Sequence, residues 1–331
     1  MIDDTLPLPP LDELRAGAAV VSLPMRVRFR GITTREVLLL RGPAGFGEFA
    51  PFPEYADAEA AAWLRSAIES AWLGPPAPVR DAVPVNATVP AVDAARVPEI
   101  LSRFPGARTA KVKVAERGQS LAEDLARVAA VREHVEHVRV DANGAWTVDR
   151  ALEALLALTS DGPLQYAEQP CATVPELVEL RRRLPGVPIA ADESIRRAED
   201  PLRVVRAGGA DVAVVKVAPL GGMRAVLRLA GELAEFGVPV VVSSALDSAV
   251  GVGAGLAAAA ALPELDHACG LGTGGLFEAD VAEPRVMVDG AMSASVVVPD
   301  PERVSGLLAA PERTQWWLAR LARCHELLDG C

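Results

Sequence analysis

Most of the chain repeats one pattern: a short β-branched run, a polar tip, then a longer stretch with apolar residues at helical spacing. The runs are "PVNATV" (84–89), "TAKVKV" (109–114), "HVRVDAN" (137–143), "LQYAEQP" (164–170), "VPIAADES" (187–194), "DVAVVKV" (211–217), "VPVVVSSA" (238–245) and "HACGLGT" (267–273). From the second run onward the polar tips recur about every 24–28 residues, the length of one strand, one helix and two loops. The intervening segments carry helix signals. "SLAEDLARVAAVREHV" opens on a serine cap with acids in its first turn, and "TVDRALEALLAL" on a threonine cap. "TVPELVELRRRL" starts at Thr173 and ends in arginines, which suits the helix dipole, and "GGMRAVLRLAGELAEFG" ends on Gly237, a C-cap. The run "SAVGVGAGLAAAAAL" (248–262) predicts a buried helix packed closely on a sheet, and it is shorter than the roughly 20 residues of a membrane span.

Eight strands alternating evenly with helices predict an α/β fold: a (β/α)7β TIM-like barrel over residues 84–299. A doubly wound open sheet is the alternative, disfavoured by the even spacing and the count. Residues 1–83 break the period. "VVSLPMRVRFRGITTREVLLLRG" alternates like a hairpin and "DAEAAAWLRSAIESAWL" (57–73) reads as an amphipathic helix, so a separate N-terminal α+β capping domain is expected. The helical tail, 300–331, is expected to pack back on it.

Side-chain alternation then converts the pattern into chemistry. Lys111 and Lys113 share one strand face, Val112 and Val114 the other. Outer faces of a barrel meet helices, so the lysines point inward. The same parity sends Arg139, Asp141 and Asn143 inward, and the next strands end in Glu168, Asp192 and Lys216. Those are the C-terminal ends, where barrel enzymes build their sites. Lysine occurs at 111, 113 and 216 and nowhere else, arginine taking every other basic position. Arginine stays protonated, whereas a desolvated lysine near other cations can serve as a base.

Three carboxylates at one rim, Asp141, Glu168 and Asp192, repel unless a cation lies between them. Oxygen donors favour Mg²⁺, with Mn²⁺ also accommodated, over zinc. An isolated K-x-K is commonly a solvated strand face, and a single aspartate after a strand a helix cap. Carboxylates on three successive strand ends, flanked by every lysine of the chain, point instead to proton abstraction beside a carboxylate; a structural salt-bridge network is the alternative. Arg139 is expected as a structural partner of the inward carboxylates, and Asn143 and Gln169 as supporting or turn residues.

Net charge is −11, which argues against nonspecific binding to nucleic acid or anionic membranes but allows a small anionic carboxylate substrate in a locally positive site. Cys171, Cys269, Cys324 and Cys331 have no CxxC spacing, and "MIDDTLPLPP" is unlike a signal peptide, so a reducing cytoplasm is expected. No feature assigns an oligomeric state.

"AKVKV", "VDANGAW", "YAEQP", "IAADES" and "VVKVAPLGG" resemble, in order and spacing, the muconate-lactonizing branch of the enolase superfamily, and "GFGEFAPFPEY" (45–55) resembles its capping-domain motif. A Lys or His base with a divalent ion is general for such sites. The resemblance implies that Asp141, Glu168 and Asp192 bind Mg²⁺, that Lys113 is the base on one substrate face, that Lys216 stands on the other, and that Lys111 tunes Lys113. It implies that "SLPMRVRFRG" (22–31) supplies a specificity loop over the barrel mouth. Within the branch, "SSALDSAVG" (243–251) and "GLGTGGLFEADV" (270–281) are similar to members that dehydrate a hydroxycyclohexadiene carboxylate bearing a succinyl side chain, in menaquinone synthesis. Ser243, Ser244, Gly272 and Thr273 are then candidates for binding the succinyl carboxylate; a helix cap and a tight turn are the structural alternatives. A racemase of N-acylamino acids or an epimerase of dipeptides, using both lysines as bases, is the second reading, although "GLGTGG" replaces the D-x-D of dipeptide epimerases. Muconate cycloisomerase is a third, and an inactive barrel acting as a binding module the contrasting class.

Overall fold

Alternation of small apolar and polar residues decides the architecture. In the computed structural model, which describes residues 8–29, 31–196 and 200–329, seven short parallel strands form one curled sheet. Arg30, within the expected specificity loop, and Cys331 lie outside the described residues.

Three antiparallel strands come first: β1 (Ala18–Phe29), β2 (Ile32–Gly42) and β3 (Gly45–Phe49). Helix α1 (Leu11–Ala16) precedes them and α2 (Asp57–Ile68) follows. Strand β4 (Ala82–Pro84) then leads to the parallel strands β5 (Ala87–Val89), β6 (Thr109–Lys113), β7 (His137–Asp141), β8 (Tyr166–Glu168), β9 (Ile189–Ala191), β10 (Val212–Lys216) and β11 (Val240–Ser243). Each pairs with the next in chain order. Their connections carry α3 (Val97–Leu101), α4 (Leu121–Arg132), α5 (Val148–Leu158), α6 (Val174–Arg183), α7 (Glu193–Arg196) with α8 (Arg203–Arg206), and α9 (Met223–Ala234); α10 (Ala249–Ala261) follows β11. Capping residues start these helices as read from the sequence: Ser120 and Thr173 form capping boxes, and the Thr147 side chain accepts from the first turn; Ser248 caps α10 as well, which the sequence reading did not name.

The eighth strand is reduced to a pair of residues. Cys269 bridges Val85 and Gly270 bridges Ser243, both in parallel. Cys269 N donates to Pro84 O (2.7 Å) and Gly270 N to Val242 O (2.8 Å), which closes the ring. A longer strand over 267–273 was expected; the chain instead turns at once into a 3-10 segment, Gly272–Leu276. Gly270 is required at the closure, since a Cβ there would come within 2.5 Å of Ser243 Oγ.

The two strand faces diverge as parity demands. Ala110, Val112, Val138, Val140, Ala213 and Val215 face outward into the large helix-packed core. Tyr166, Ala190, Val212, Val214 and Val241 face inward as a small apolar plug. Charged residues sit above that plug. Arg139 departs from expectation: it lies two residues below Asp141, bonding Asn86 Oδ1 (3.1 Å), Ala268 O (2.7 Å) and Gln165 Oε1 (2.6 Å) and stacking on Tyr166 at 4.6 Å. It clamps the ring closure rather than partnering the carboxylates: its guanidinium is taken up by Gln165, Asn86 and Ala268, while Lys111, at the same register on β6, reaches Glu168 and Asp141.

After the barrel, β12 (Met287–Val288) and β13 (Ala291–Ser293) pair with β4 in a small antiparallel sheet. Helix α11 (Pro301–Gly306) follows, and α12 (Pro311–Asp329) packs on α2 and β1. Trp317 of α12 is buried, edge-on to Phe49 at 5.8 Å, and donates from Nε1 to Glu36 Oε2 (3.0 Å). Among the described residues no helix is long and apolar enough to cross a membrane, and Cys171, Cys269 and Cys324 are free and buried.

Candidate active site

The C-terminal strand ends assemble a charged cavity whose members come from six strands in turn. Register aligns them: Lys111 opposes Arg139 and Lys113 opposes Asp141 across β6 and β7, Asp141 opposes Glu168, and Lys216 opposes Ser243. Lys111, Lys113, Asp141, Asp192, Lys216, Ser243, Ser244 and Thr273 line one space of about 40 Å³. The strand end bearing Lys113 is braced from outside, where buried Arg127 of α4 donates to Lys113 O (2.7 Å) and Val92 O (2.6 Å).

The carboxylates are fully buried and each faces an ammonium. Lys111 Nζ donates to Glu168 Oε1 (2.7 Å) and lies 3.2 Å from Asp141 Oδ2. Lys113 Nζ donates to Asp141 Oδ2 (2.5 Å) and Asn143 Oδ1 (2.7 Å). Lys216 Nζ donates to Asp192 Oδ2, and Arg196 Nε to Asp192 Oδ1 (3.0 Å). The surroundings set the protonation of each group. Burial raises the Asp141 pKa, but Lys113 and Lys111 outweigh it and hold the group well below the carboxylate range. For Asp192 burial is again outweighed, by Lys216 and Arg196, and its pKa falls to about 2. Glu168 goes the other way: burial, then Asp141, push it up to about 7. Burial alone would lower the Lys111 pKa, yet Glu168 and Asp141 hold it above the ordinary value. Lys216 is pulled down by burial despite Asp192.

The donor set fits a hard divalent cation. Glu168 Oε2 is buried with no hydrogen-bond partner, and a carboxylate oxygen so placed calls for a cation. Among the described residues, however, no three acidic, thiol or imidazole side chains close around one point; the ammonium groups stand among the carboxylates.

Ser244 Oγ and Thr273 Oγ1 share a 2.5 Å hydrogen bond, and Ser243 Oγ donates to Gly270 O (3.3 Å). Gly272 is set apart from this cavity: it faces Phe104, whose Cε1 lies 2.8 Å from where a Cβ would stand. Several supporting residues escaped the sequence reading because their partners are distant in sequence. Arg196 Nη1 reaches Tyr55 Oη of the capping segment (3.0 Å) and its Nη2 reaches Glu193 Oε1 (2.6 Å). Arg35 Nε donates to Leu246 O (3.1 Å), and Glu48 accepts from Ser248 N and Gly251 N, so β2 and β3 hold the loop that carries Ser243 and Ser244. That loop is strained at Leu246, whose φ is 65°. The only sequence signal for Tyr55 and Glu48 was their place in "GFGEFAPFPEY". Gln169 anchors the next turn by accepting from Asp192 N (3.0 Å) and Ser194 N (3.2 Å).

Comparison with known proteins decides the relationship. The enolase C-terminal domain-like family matches residues 97–309, and the enolase N-terminal domain-like family matches residues 20–71. The chain belongs to the enolase superfamily. Within the superfamily it is 67% identical to o-succinylbenzoate synthase of Mycobacterium tuberculosis (strain H37Rv) over 97% of both chains. It is 65% identical to o-succinylbenzoate synthase of Mycolicibacterium smegmatis, over 97% of this chain and 99% of that one. Muconate lactonizing enzyme from Pseudomonas fluorescens, solved with muconolactone, superposes with a TM-score of 0.75 at 26% identity, covering 88% of this chain and 98% of that one. The enolase-superfamily pairing of barrel and N-terminal domain agrees with the closed ring and the β1–β3 unit seen here.

Proposed function

We propose that this chain dehydrates 2-succinyl-6-hydroxy-2,4-cyclohexadiene-1-carboxylate to o-succinylbenzoate, a cytoplasmic step toward menaquinone. The observation that carries the reading is near-full-length identity of 65–67% to o-succinylbenzoate synthases in a chain whose three lysines all line one cavity. Asp141, Glu168 and Asp192 would hold Mg²⁺, or Mn²⁺, which supplies fixed positive charge for the substrate's ring carboxylate.

Lys113 Nζ takes the proton from the ring carbon that bears the carboxylate. The electron pair passes into the carboxylate as an enediolate and then out to the neighbouring C–OH carbon. That C–O bond breaks, and the proton now on Lys113 goes to the departing hydroxyl, so water leaves and the ring becomes aromatic. One residue serves both proton transfers on one face, and no net proton is gained or lost. Lys111, locked by Glu168 and Asp141, keeps its charge and tunes Lys113. Lys216 stands on the far strand and offers an ammonium to the flat anion. Ser243, Ser244 and Thr273 present hydroxyl groups for the succinyl carboxylate.

Purified protein with Mg²⁺ should form o-succinylbenzoate, read by absorbance, with little α-proton exchange on N-succinyl amino acids in heavy water. Fast exchange without dehydration would select the racemase reading instead.

A further inference from the structure

A barrel of eight complete units has an eighth helix between the helices that follow strands seven and one. This chain replaces it with the 3-10 segment, a loop and β12–β13. Between α10 and the turn after α3 a cavity of about 350 Å³ remains, with Phe104, Val252, Leu271, Phe277, Met287 and Met292 on its apolar walls. Ligand cavities span about 300–1,000 Å³, so the space suits a small organic molecule. None of Lys111, Lys113 and Lys216 borders it.

Its polar edge is rich in arginine although the chain carries a net charge of −11. Four arginines, Arg26, Arg103, Arg285 and Arg303, line it together with two carboxylates, Glu278 and Asp280. Asp280 is already engaged, accepting from Ala249 N (3.0 Å) and Val281 N (2.7 Å) at the start of α10. Arg103 pairs with Glu99 and Arg303 with Glu283. Arg285 and Arg26 differ. Arg285 donates to Ser293 O (2.6 Å), Ser295 Oγ (3.3 Å) and Ser295 O, its buried Nε has no partner, and no carboxylate pairs with it among the described residues. Burial alone pulls its pKa down, with no acid offsetting the cost. Among the described residues Arg26 reaches only a backbone oxygen, Glu278 O, at 3.5 Å.

We propose that this cavity is a second ligand site that takes an amphipathic anion, a flat apolar body of one or two rings whose single carboxylate is received by Arg285 and Arg26. The wall between this site and the lysine cavity is one strip of chain: Leu271 and Gly272 face the second site, while Thr273 faces the first and bonds Ser244. An occupant therefore presses on a Thr273–Ser244 contact without touching a lysine, and its effect falls on KM more than on kcat.

The test is calorimetric titration of the full chain with biphenyl-4-carboxylate, with saturating o-succinylbenzoate present to fill the lysine cavity. The expected result is one equivalent bound, at least tenfold weaker binding of biphenyl-4-carboxamide, and at least tenfold weaker binding of the acid to Arg285→Met. Val252→Trp, which fills the floor, should abolish binding while the thermal transition shows the variant folded; Arg285→Met carries the test alone if it does not fold. No binding up to about 1 mM overturns the proposal. So does binding that Arg285→Met leaves unchanged. The measurement needs no catalytic turnover, so its failure is distinct from failure of the dehydration reading.

Discussion

Replacing Lys113 with arginine separates charge from basicity at the position assigned both proton transfers. The guanidinium keeps a positive charge beside Asp141 Oδ2 and Asn143 Oδ1, the two oxygens that Lys113 reaches at 2.5 and 2.7 Å. Asp141 also retains Lys111 at 3.2 Å. No buried charge is left unpaired, so the stability change should stay within about 1 kcal/mol rather than the roughly 3–5 kcal/mol of a broken buried pair. Chemistry should suffer far more. With a pKa above about 12 a guanidinium supplies almost no neutral base, and loss of one general base costs about 10²–10⁴ in rate. Because the same group must also protonate the leaving hydroxyl, the upper part of that range applies: kcat falls about 10³–10⁴-fold, or about 4–5.5 kcal/mol of barrel-bound transition-state stabilisation at about 1.36 kcal/mol per decade. The assay is o-succinylbenzoate absorbance under substrate saturation, beside a thermal melt. Lys216→Arg is the internal contrast: a charge with no proton to move tolerates the exchange, and kcat should fall about tenfold. A folded Lys113→Arg protein within tenfold of the parent, or a Lys216→Arg protein as inactive as Lys113→Arg, would refute the division of labour.

Other outcomes follow from the same geometry. Removing the hydroxyl in Ser244→Ala should raise KM about 10- to 150-fold with kcat nearly kept, since a hydrogen bond to a charged group is worth about 1.5–3 kcal/mol in ground and transition states alike; a kcat-only effect would contradict it. Burial, then Asp247, push the Glu48 pKa from an ordinary 4.5 to about 8. The folded chain thus binds more protons than the unfolded chain between those values, and stability falls as pH rises through that window. Glu48→Gln removes this slope, so its urea midpoint should drop less than the parent's between about pH 5 and about pH 8; equal drops would count against a protonated Glu48. Trp317→Ala leaves a cavity against Phe49 and strands Glu36 without its indole donor, and should cost about 3–5 kcal/mol in urea unfolding. A loss under about 1 kcal/mol would show that α12 does not secure the hairpin.

Much of this layout was legible from local chemistry. Alternation within "AKVKV" placed Lys111 and Lys113 on one face, and register with "VRVD" then fixed Lys113 opposite Asp141. The caps at Ser120, Thr147 and Thr173 were readable because a cap is a local bond. What failed to show was set by contacts across the fold. Parity put Arg139 inside, two residues below Asp141, but not which partners would meet it; the ring closure brings Asn86 and Ala268 to it, while Lys111 at the same register takes Glu168. Seven residues were read as strand eight, yet the approach of Gly270 to Ser243 and the turn at Gly272 leave only two bridging residues. Gly272 shares a tight turn with Thr273, but the turn sends it to Phe104. Tyr55, Arg35 and Glu48 act on segments more than a hundred residues away, a distance over which no periodicity reports.

Anomalous diffraction from crystals soaked in Mn²⁺ tests the central claim most directly. The account predicts one strong peak bounded by oxygens of Asp141, Glu168 and Asp192, with Lys113 and Lys216 left on opposite sides of the same cavity. A peak held by other residues, or the three carboxylates still paired only with the lysines at saturating Mn²⁺, would contradict it.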